Sequence, residues 1–156
     1  MQWKVSSTYN VTSKKISKIP LPKAIKKLDY WFELYIRYRD NWKCIVCDTT
    51  MWLDATHMHA GHLIRRTHKK TRWDEINVHA QCFKCNCAHN FDESAYTAKF
   101  LQRYGQQAYI DLVARAKGTE KLNSADVLER AQYYKSKVDE YTLQYGLDNR
   151  RAKSVQ

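Results

Sequence analysis

Two pairs of closely spaced cysteines constrain this chain more than any other feature of its sequence. Cys44 and Cys47 form the first pair, and Cys82 and Cys85 form the second. Such pairs are typical of one tetrahedral zinc site, because a spacer of two residues lets both thiolates bind the same ion. Two disulfides, or four buried thiols in a reducing compartment, are the alternatives. Cys87 is left over, and we interpret it as a small buried side chain or a spare thiol.

The size and composition of the chain favour a single folded domain. Its 156 residues are enough to bury a core, and an aromatic content of 13% excludes a disordered basic tail. The apolar runs are far shorter than the ~20 residues that cross a bilayer, and the N-terminal segment carries lysines instead of a signal-peptide core. We therefore expect a cytoplasmic protein with no membrane partner, in which the cysteines stay reduced.

The positive charge of the chain is concentrated in two segments. The formal net charge is +11. Residues 1–40 hold nine basic and three acidic side chains, and residues 61–73 hold five basic and no acidic ones, so these segments account for the whole excess. Such an excess favours a polyanionic partner, although solvated surface faces are the alternative. The predicted phosphate contacts in the second segment are Arg65, Arg66, Lys69, Lys70 and Arg72.

Periodicity and turn residues predict an α+β fold. Apolar positions at helical spacing predict a helix from Pro22 to about Asp40, a helix over 93–117 and a helix capped by Asn123 that ends near Tyr145. Residues 51–64 and 76–81 predict two strands joined by a basic loop at 65–75, and a further helix is expected just after Cys85. Gly118 is expected to end the predicted helix over 93–117.

The same pattern predicts how the chain is divided. Residues 1–18 are predicted to be a flexible basic arm, and residues 148–156 a frayed tail. Residues 19–147 form the single predicted domain, with a metal-binding finger at 42–92 and C-terminal helices at 93–147.

Histidine and asparagine residues lie between and beside the cysteine pairs in a recognisable order. His62 precedes Asn77, which stands five residues before Cys82, and Asn86 follows Cys85. This order resembles the HNH, or ββα-metal, nuclease motif. More closely, the chain is similar to the NinG/Rap recombination endonucleases of lambdoid phages over about residues 25–145. The segments that carry this similarity are Cys-Ile-Val-Cys-Asp-Thr, Ala-Gly-His, Arg72-Trp73-Asp74, Asn-Val-His-Ala-Gln-Cys, Cys-Asn and Arg103-Tyr-Gly-Gln-Gln-Ala108.

The resemblance implies an HNH-like finger around a four-cysteine zinc site in a phage-encoded protein of the host cell. It also implies nicking of branched DNA, namely D-loops, Holliday junctions and forks. His62 suits the general base, since a neutral imidazole can take a proton from water. Asn77 is expected to orient that imidazole through its side-chain carbonyl.

His59 and Asn86 are the predicted ligands of a catalytic Mg²⁺ or Mn²⁺ ion. Asn86 occupies the position where HNH enzymes place a helix-borne ligand, and an amide oxygen suits a hard cation. His59 stands where the NinG/Rap pattern has Asp, three residues before the base. In a regular strand these positions face opposite sides, so a shared site would need a bulge at Gly61. His89 and Asn90 are weaker candidates for the same role.

The sequence therefore predicts a metal-dependent endonuclease in which His62 activates water and the cation stabilises the leaving 3′ oxygen. The aromatic helix at 124–145 suggests a homodimer, since symmetric cleavage of a four-way junction needs two sites. Two other functions stay open. One is a sequence-specific HNH restriction or homing enzyme, and the other is a non-enzymatic zinc-ribbon module that binds DNA.

Overall fold

The computed structural model describes residues 19–146, and the predicted basic arm and C-terminal tail lie outside these described residues. Its elements are α1 (Leu21–Arg39), β1 (Met58–His62), β2 (Val78–Cys82), α2 (Phe83–His89), α3 (Ser94–Ala116) and α4 (Ser124–Gln144). This is the mixed α+β class that the sequence predicts. Within residues 19–146, no helix combines the length and the apolar character needed to span a membrane.

β1 and β2 form a two-stranded antiparallel sheet with a regular register. His59 lies opposite Gln81, and Gly61 lies opposite His79. β1 is shorter than predicted because the carboxylate of Asp54 accepts hydrogen bonds from two following backbone amides and holds that segment in a turn. The pairing contains no bulge at Gly61, so the side chains of His59 and His62 project from opposite faces of the sheet.

α1 and α4 pack along each other and form the main core. The buried residues on the α1 side are Ala24, Leu28, Phe32 and Ile36, and those on the α4 side are Val127, Leu128, Ala131 and Tyr134. The rings of Phe32 and Tyr134 meet edge to face with centroids 4.9 Å apart. Tyr134 on α4 is therefore covered by α1 of the same chain, whereas Tyr133 is 43% exposed, and the homodimer stays a prediction.

α3 is interrupted at Gly105, where the sequence predicted one continuous helix. Gly105 has φ of +83°, a conformation that glycine adopts without steric cost. Tyr96 and Phe100 precede the break and Leu112 follows it, and all three pack against Leu63 in a separate small core. The break thus lets both halves of α3 cover the segment that follows β1.

The helix ends follow local sequence signals, with one exception. The Asn123 side chain accepts a hydrogen bond from the Asp126 amide at 3.0 Å, which confirms the predicted cap of α4. α2 begins at Phe83, earlier than expected. Cys85 and Asn86 therefore both lie inside the helix, and this ties the second cysteine pair rigidly to Asn86.

Candidate functional site

The four paired cysteines converge on one point. The sulfur atoms of Cys44, Cys47, Cys82 and Cys85 all lie within 4.8 Å of one another. The Sγ atoms of Cys47 and Cys82 are 3.6 Å apart, which excludes a disulfide between them and is close to the ~3.8 Å expected between thiolates of a tetrahedral Zn²⁺ site with ~2.3 Å bonds. These cysteines therefore form a cluster that fits a structural zinc ion.

Local backbone structure explains why the sulfurs converge. Cys82 ends β2 and Cys85 lies in the first turn of α2, so the strand-to-helix junction presents one pair. The amide of Ile45 donates a hydrogen bond to the carbonyl of Ala80 at 2.9 Å, and this fastens the other pair to β2. Burial raises the pKa of Cys44 and of Cys85, so these thiols keep their protons until a cation displaces them. Cys87 does not belong to the cluster.

His62 stands at the end of β1 with its proton position fixed. Its Nε2 lies 2.9 Å from the backbone carbonyl of Arg72, so Nε2 carries the proton and donates it to that oxygen. In the neutral ring Nδ1 is then the proton acceptor. Burial lowers the pKa of His62 in spite of this hydrogen bond, which keeps the ring neutral near pH 7. His62 thus has the protonation state that a general base requires.

Asn77 does not orient the imidazole of His62, contrary to the sequence-based expectation. Its Oδ1 accepts a hydrogen bond from the amide of Ile64 at 2.7 Å. Its Nδ2 donates to the carbonyls of Ile64 and Thr71 at 2.9 and 2.8 Å. The fully buried side chain of Asn77 therefore connects the residues before and within the basic loop. The backbone carbonyl of Arg72, which lies in that loop, orients the imidazole of His62 instead.

The side chains of His59 and Asn86 lie within hydrogen-bond distance of each other, as their prediction as ligands of one cation requires. His59 Nε2 donates to the Thr56 carbonyl at 3.2 Å, so its Nδ1 accepts a hydrogen bond from Asn86 Nδ2 at 3.1 Å. His59 nevertheless faces away from His62 across the strand. Within residues 19–146, the only converging group of three or more cysteine, histidine or acidic ligands is the cysteine cluster.

Gln81 and His89 each carry a buried polar atom without a hydrogen-bond partner, and such atoms are candidates for binding a cation. Gln81, opposite His59, is fully buried and makes no hydrogen bond through Oε1 or Nε2. His89 Nδ1 is likewise buried and unpaired, while its Nε2 donates to the His62 carbonyl. Such orphaned groups are costly. An unpaired imidazole nitrogen such as His89 Nδ1 and an unpaired amide oxygen such as Gln81 Oε1 are atom types that can bind a divalent cation.

Gly61 is required by the position of Gln81. A Cβ atom on Gly61 would lie only 2.0 Å from Gln81 Oε1. The glycine therefore admits the Gln81 side chain beside β1 and does not create the bulge that a site shared by His59 and His62 would need.

A cleft of about 430 Å³ runs along the free edge of β1 and contains His62. Its walls come from α1, from the loop after β1 and from α2; they comprise Glu33, Ala60, Arg65, Arg66, Thr67, Asn86, His89, Asn90 and Glu93. The position of Glu33 in this cleft could not be predicted from the sequence, because a polar residue on an amphipathic helix gives no signal of a distant neighbour. Burial raises the pKa of Glu33, with Arg37 opposing that shift.

The predicted phosphate contacts divide into two groups. Arg65, Arg66, Lys69 and Lys70 are exposed, and the two arginines line the cleft. Arg72 instead forms a bidentate ion pair with Asp29 at 2.9 and 2.6 Å, and its guanidinium lies over the ring of Trp73. Arg72 is thus occupied in holding the loop against α1, which also fixes the carbonyl that binds His62.

The fold and the cysteine cluster define a small α+β protein with a four-cysteine metal centre. The family model described as Bacteriophage Lambda NinG protein matches residues 7–143, so the chain belongs to the NinG family. Protein ninG of Escherichia phage 933W and Protein ninG of Enterobacteria phage VT2-Sa are each 32% identical to it over 94 residues. That match covers 54% of this chain and 45% of each relative, so the chain spans less than half the length of these relatives. No solved structure matches the chain.

Proposed function

We propose that this chain is a metal-dependent endonuclease that nicks branched DNA intermediates of phage recombination. The observation that carries the proposal is the neutral His62, oriented by the Arg72 carbonyl in a cleft bordered by Arg65 and Arg66. Membership of the NinG family of lambdoid phages supports a role in recombination.

His62 is the proposed general base. Its Nδ1 takes a proton from water, the resulting hydroxide attacks the phosphorus, and the bond from phosphorus to the 3′ oxygen breaks. The 3′ oxygen leaves and takes up a proton, and the products are a 3′-hydroxyl and a 5′-phosphate. A positioned general base typically accelerates such a step about 10²- to 10⁴-fold.

His59 faces away from His62, so of the two predicted cation ligands only Asn86 lines the His62 cleft. The proposed ligands in that cleft are Asn86 and His89, whose buried Nδ1 has no partner, and His59 holds the Asn86 side chain. An Mg²⁺ or Mn²⁺ ion bound there would neutralise charge on the scissile phosphate and on the leaving oxygen. For Asn86 to serve, its amide would have to present Oδ1 to the ion, since Nδ2 now donates to His59.

The exposed basic side chains of the loop after β1 are proposed to hold the DNA backbone. Arg65 and Arg66 lie at the cleft itself, where guanidinium groups can grip the phosphates beside the scissile bond. Lys69 and Lys70 extend the same surface towards α3. These contacts would position DNA without reading its sequence.

A matched panel of linear, flap, D-loop and four-way substrates, incubated with Mg²⁺ or Mn²⁺, tests the proposal. We expect nicks in the branched substrates and little cleavage of the linear one. Cleavage of linear DNA at one defined sequence would instead indicate an HNH restriction or homing enzyme. Tight binding without nicking on any substrate would indicate a zinc-containing DNA-binding module.

A further inference from the structure

A second basic cleft, of about 410 Å³, lies between the first cysteine pair and α3. Its cationic side chains are Arg39, Lys43, Lys99 and Arg103, and its acidic ones are Asp40 and Asp48. Lys99 and Arg103 stand four residues apart, so they occupy the same face of α3. None of these residues belongs to the basic segment between the two strands, and the proposed nuclease site does not use them.

The sheet places this cleft and the His62 cleft on opposite sides. The amide and carbonyl of Ala80 point away from β1, because they bind the Asp40 carboxylate and the Ile45 amide. Asp40 and Ile45 line the second cleft, which therefore lies along the outer edge of β2. The His62 cleft lies along the outer edge of β1, where the His62 carbonyl accepts its hydrogen bond from His89. The two clefts are thus separated by the full width of the sheet.

The cations of the second cleft differ in how freely they can bind an anion. Arg39 is fixed by a bidentate pair with Asp40 and by the carbonyls of Glu75 and Val78, so its role is structural. Within residues 19–146, Arg103 has no carboxylate within ion-pair distance; its guanidinium lies over the ring of Tyr104.

Lys43 and Lys99 share one exposed carboxylate. Both reach Asp48, at 3.0 and 3.7 Å, and the side chains of Lys43 and Asp48 are 53% and 61% exposed. Exposed ion pairs of this kind contribute little, so a phosphate can replace Asp48 as their partner. Arg103, Lys99 and Lys43 are therefore available to a ligand that carries phosphate groups.

We propose that this second cleft binds the phosphate backbone of a second DNA arm, while the His62 cleft holds the arm that is cut. The proposal rests on the proposed function. Two clefts that each carry cationic side chains, at opposite edges of one sheet, suit a substrate whose backbones diverge from a branch point, whereas a short linear duplex needs only one of them. The second cleft would then contribute to the preference for branched over linear DNA.

Equilibrium binding of a four-way junction and of a linear duplex with the same arm sequence, over a range of salt concentrations and without added Mg²⁺ or Mn²⁺, tests this proposal. For the double variant Lys99→Ala, Arg103→Ala we expect about tenfold weaker junction binding and a salt slope smaller by about 2, because two phosphate contacts are lost. Binding of the linear duplex should stay unchanged. The matched control, Lys135→Ala with Lys137→Ala on α4, removes the same charge and should leave both affinities unchanged.

A second variant, Asp48→Asn, is expected to increase the affinity for the junction, and misfolding cannot explain an increase in affinity. Asp48 has φ of +61°, which Asn also tolerates, so Asp48→Asn should keep the fold. It removes the competing carboxylate, and we expect tighter binding of the junction alone. Equal changes on both substrates, or no change on either, would overturn the second-arm proposal. If the variants changed junction binding as expected but the wild type did not nick the junction, the proposed nuclease activity would be overturned and the second-arm proposal would stand.

Discussion

The cysteine cluster and the His62 cleft are built in different ways. The cluster draws its four ligands from two short sequence pairs, and its sulfurs already lie within 4.8 Å of one another. The cleft draws on α1, β1, the basic loop and α2, and one of its lining residues, His89, has a buried Nδ1 without a partner. The four ligands of the cluster therefore converge without any further rearrangement, whereas the cleft combines side chains from distant parts of the chain and includes a buried nitrogen with no partner.

The largest expected effect comes from breaking the cluster. Cys82→Ser should release zinc and unfold the domain, because a structural zinc site contributes about 10–16 kcal/mol of apparent binding free energy to folding. Metal analysis and circular dichroism measure both consequences. Cys87→Ser is the matched control and should keep one zinc per chain. A Cys82→Ser protein that retains zinc and unfolds cooperatively would show that the cluster is not the structural centre.

Asn77 supports the cleft through the backbone, and its loss should be the next largest effect. Asn77→Ala removes the three hydrogen bonds of a buried side chain and should lower the free energy of unfolding by about 3 kcal/mol in urea titrations. Asn90→Ala, which removes one exposed hydrogen bond to Asn86, should change it by less than about 0.5 kcal/mol. Equal stability of the two variants would mean that the basic loop does not depend on Asn77.

His79 gives the β-sheet a dependence on pH. Burial lowers its pKa to about 3, and its ring is held neutral between the hydroxyls of Tyr96 and Tyr104. The unfolded chain takes up a proton near pH 6.5, so this stabilisation is complete above that pH and is lost as the pH falls towards 3. The free energy of unfolding should fall by up to about 1.4 kcal/mol per pH unit in that window.

The variant His79→Gln separates the effect of His79 protonation from that of protonation of the zinc ligands, because the zinc ligands are the same in the wild type and in the variant. The variant should be less stable at pH 7 and should show a shallower loss of stability between pH 6.5 and 4. Parallel curves for wild type and variant would exclude His79 as the source.

The smallest expected effects come from two arginines near the cleft, the ion-paired Arg72 and the exposed Arg66. Arg72→Ala should lower the free energy of unfolding by about 2 kcal/mol, because it leaves the half-buried Asp29 without its ion pair. Arg66→Ala should leave stability unchanged and should lower the salt slope of DNA binding by about 1. If Arg66→Ala changed stability and left DNA binding intact, the division into structural and DNA-binding arginines would be wrong.

Features set by neighbouring residues could be predicted from the sequence. The Cys-x-x-Cys pairs, the Asn123 cap and the helices α1 and α4 all depend on spacing within a few residues. The close approach of Gln81 to Gly61 could not be predicted, because the two residues meet only across the sheet. It also could not be predicted that the Arg72 carbonyl, and not Asn77, orients His62, because every residue has a backbone carbonyl and the sequence does not show which one lies beside a histidine. Glu33 enters the cleft only because of how α1 packs.

The nicking rate of a His62→Ala variant on a four-way junction tests the central claim most directly. If His62 is the general base, we expect a 10²- to 10⁴-fold lower rate than the wild type, with the zinc content and the midpoint of unfolding essentially unchanged. A folded, zinc-loaded His62→Ala protein that nicks the junction at the wild-type rate would contradict it.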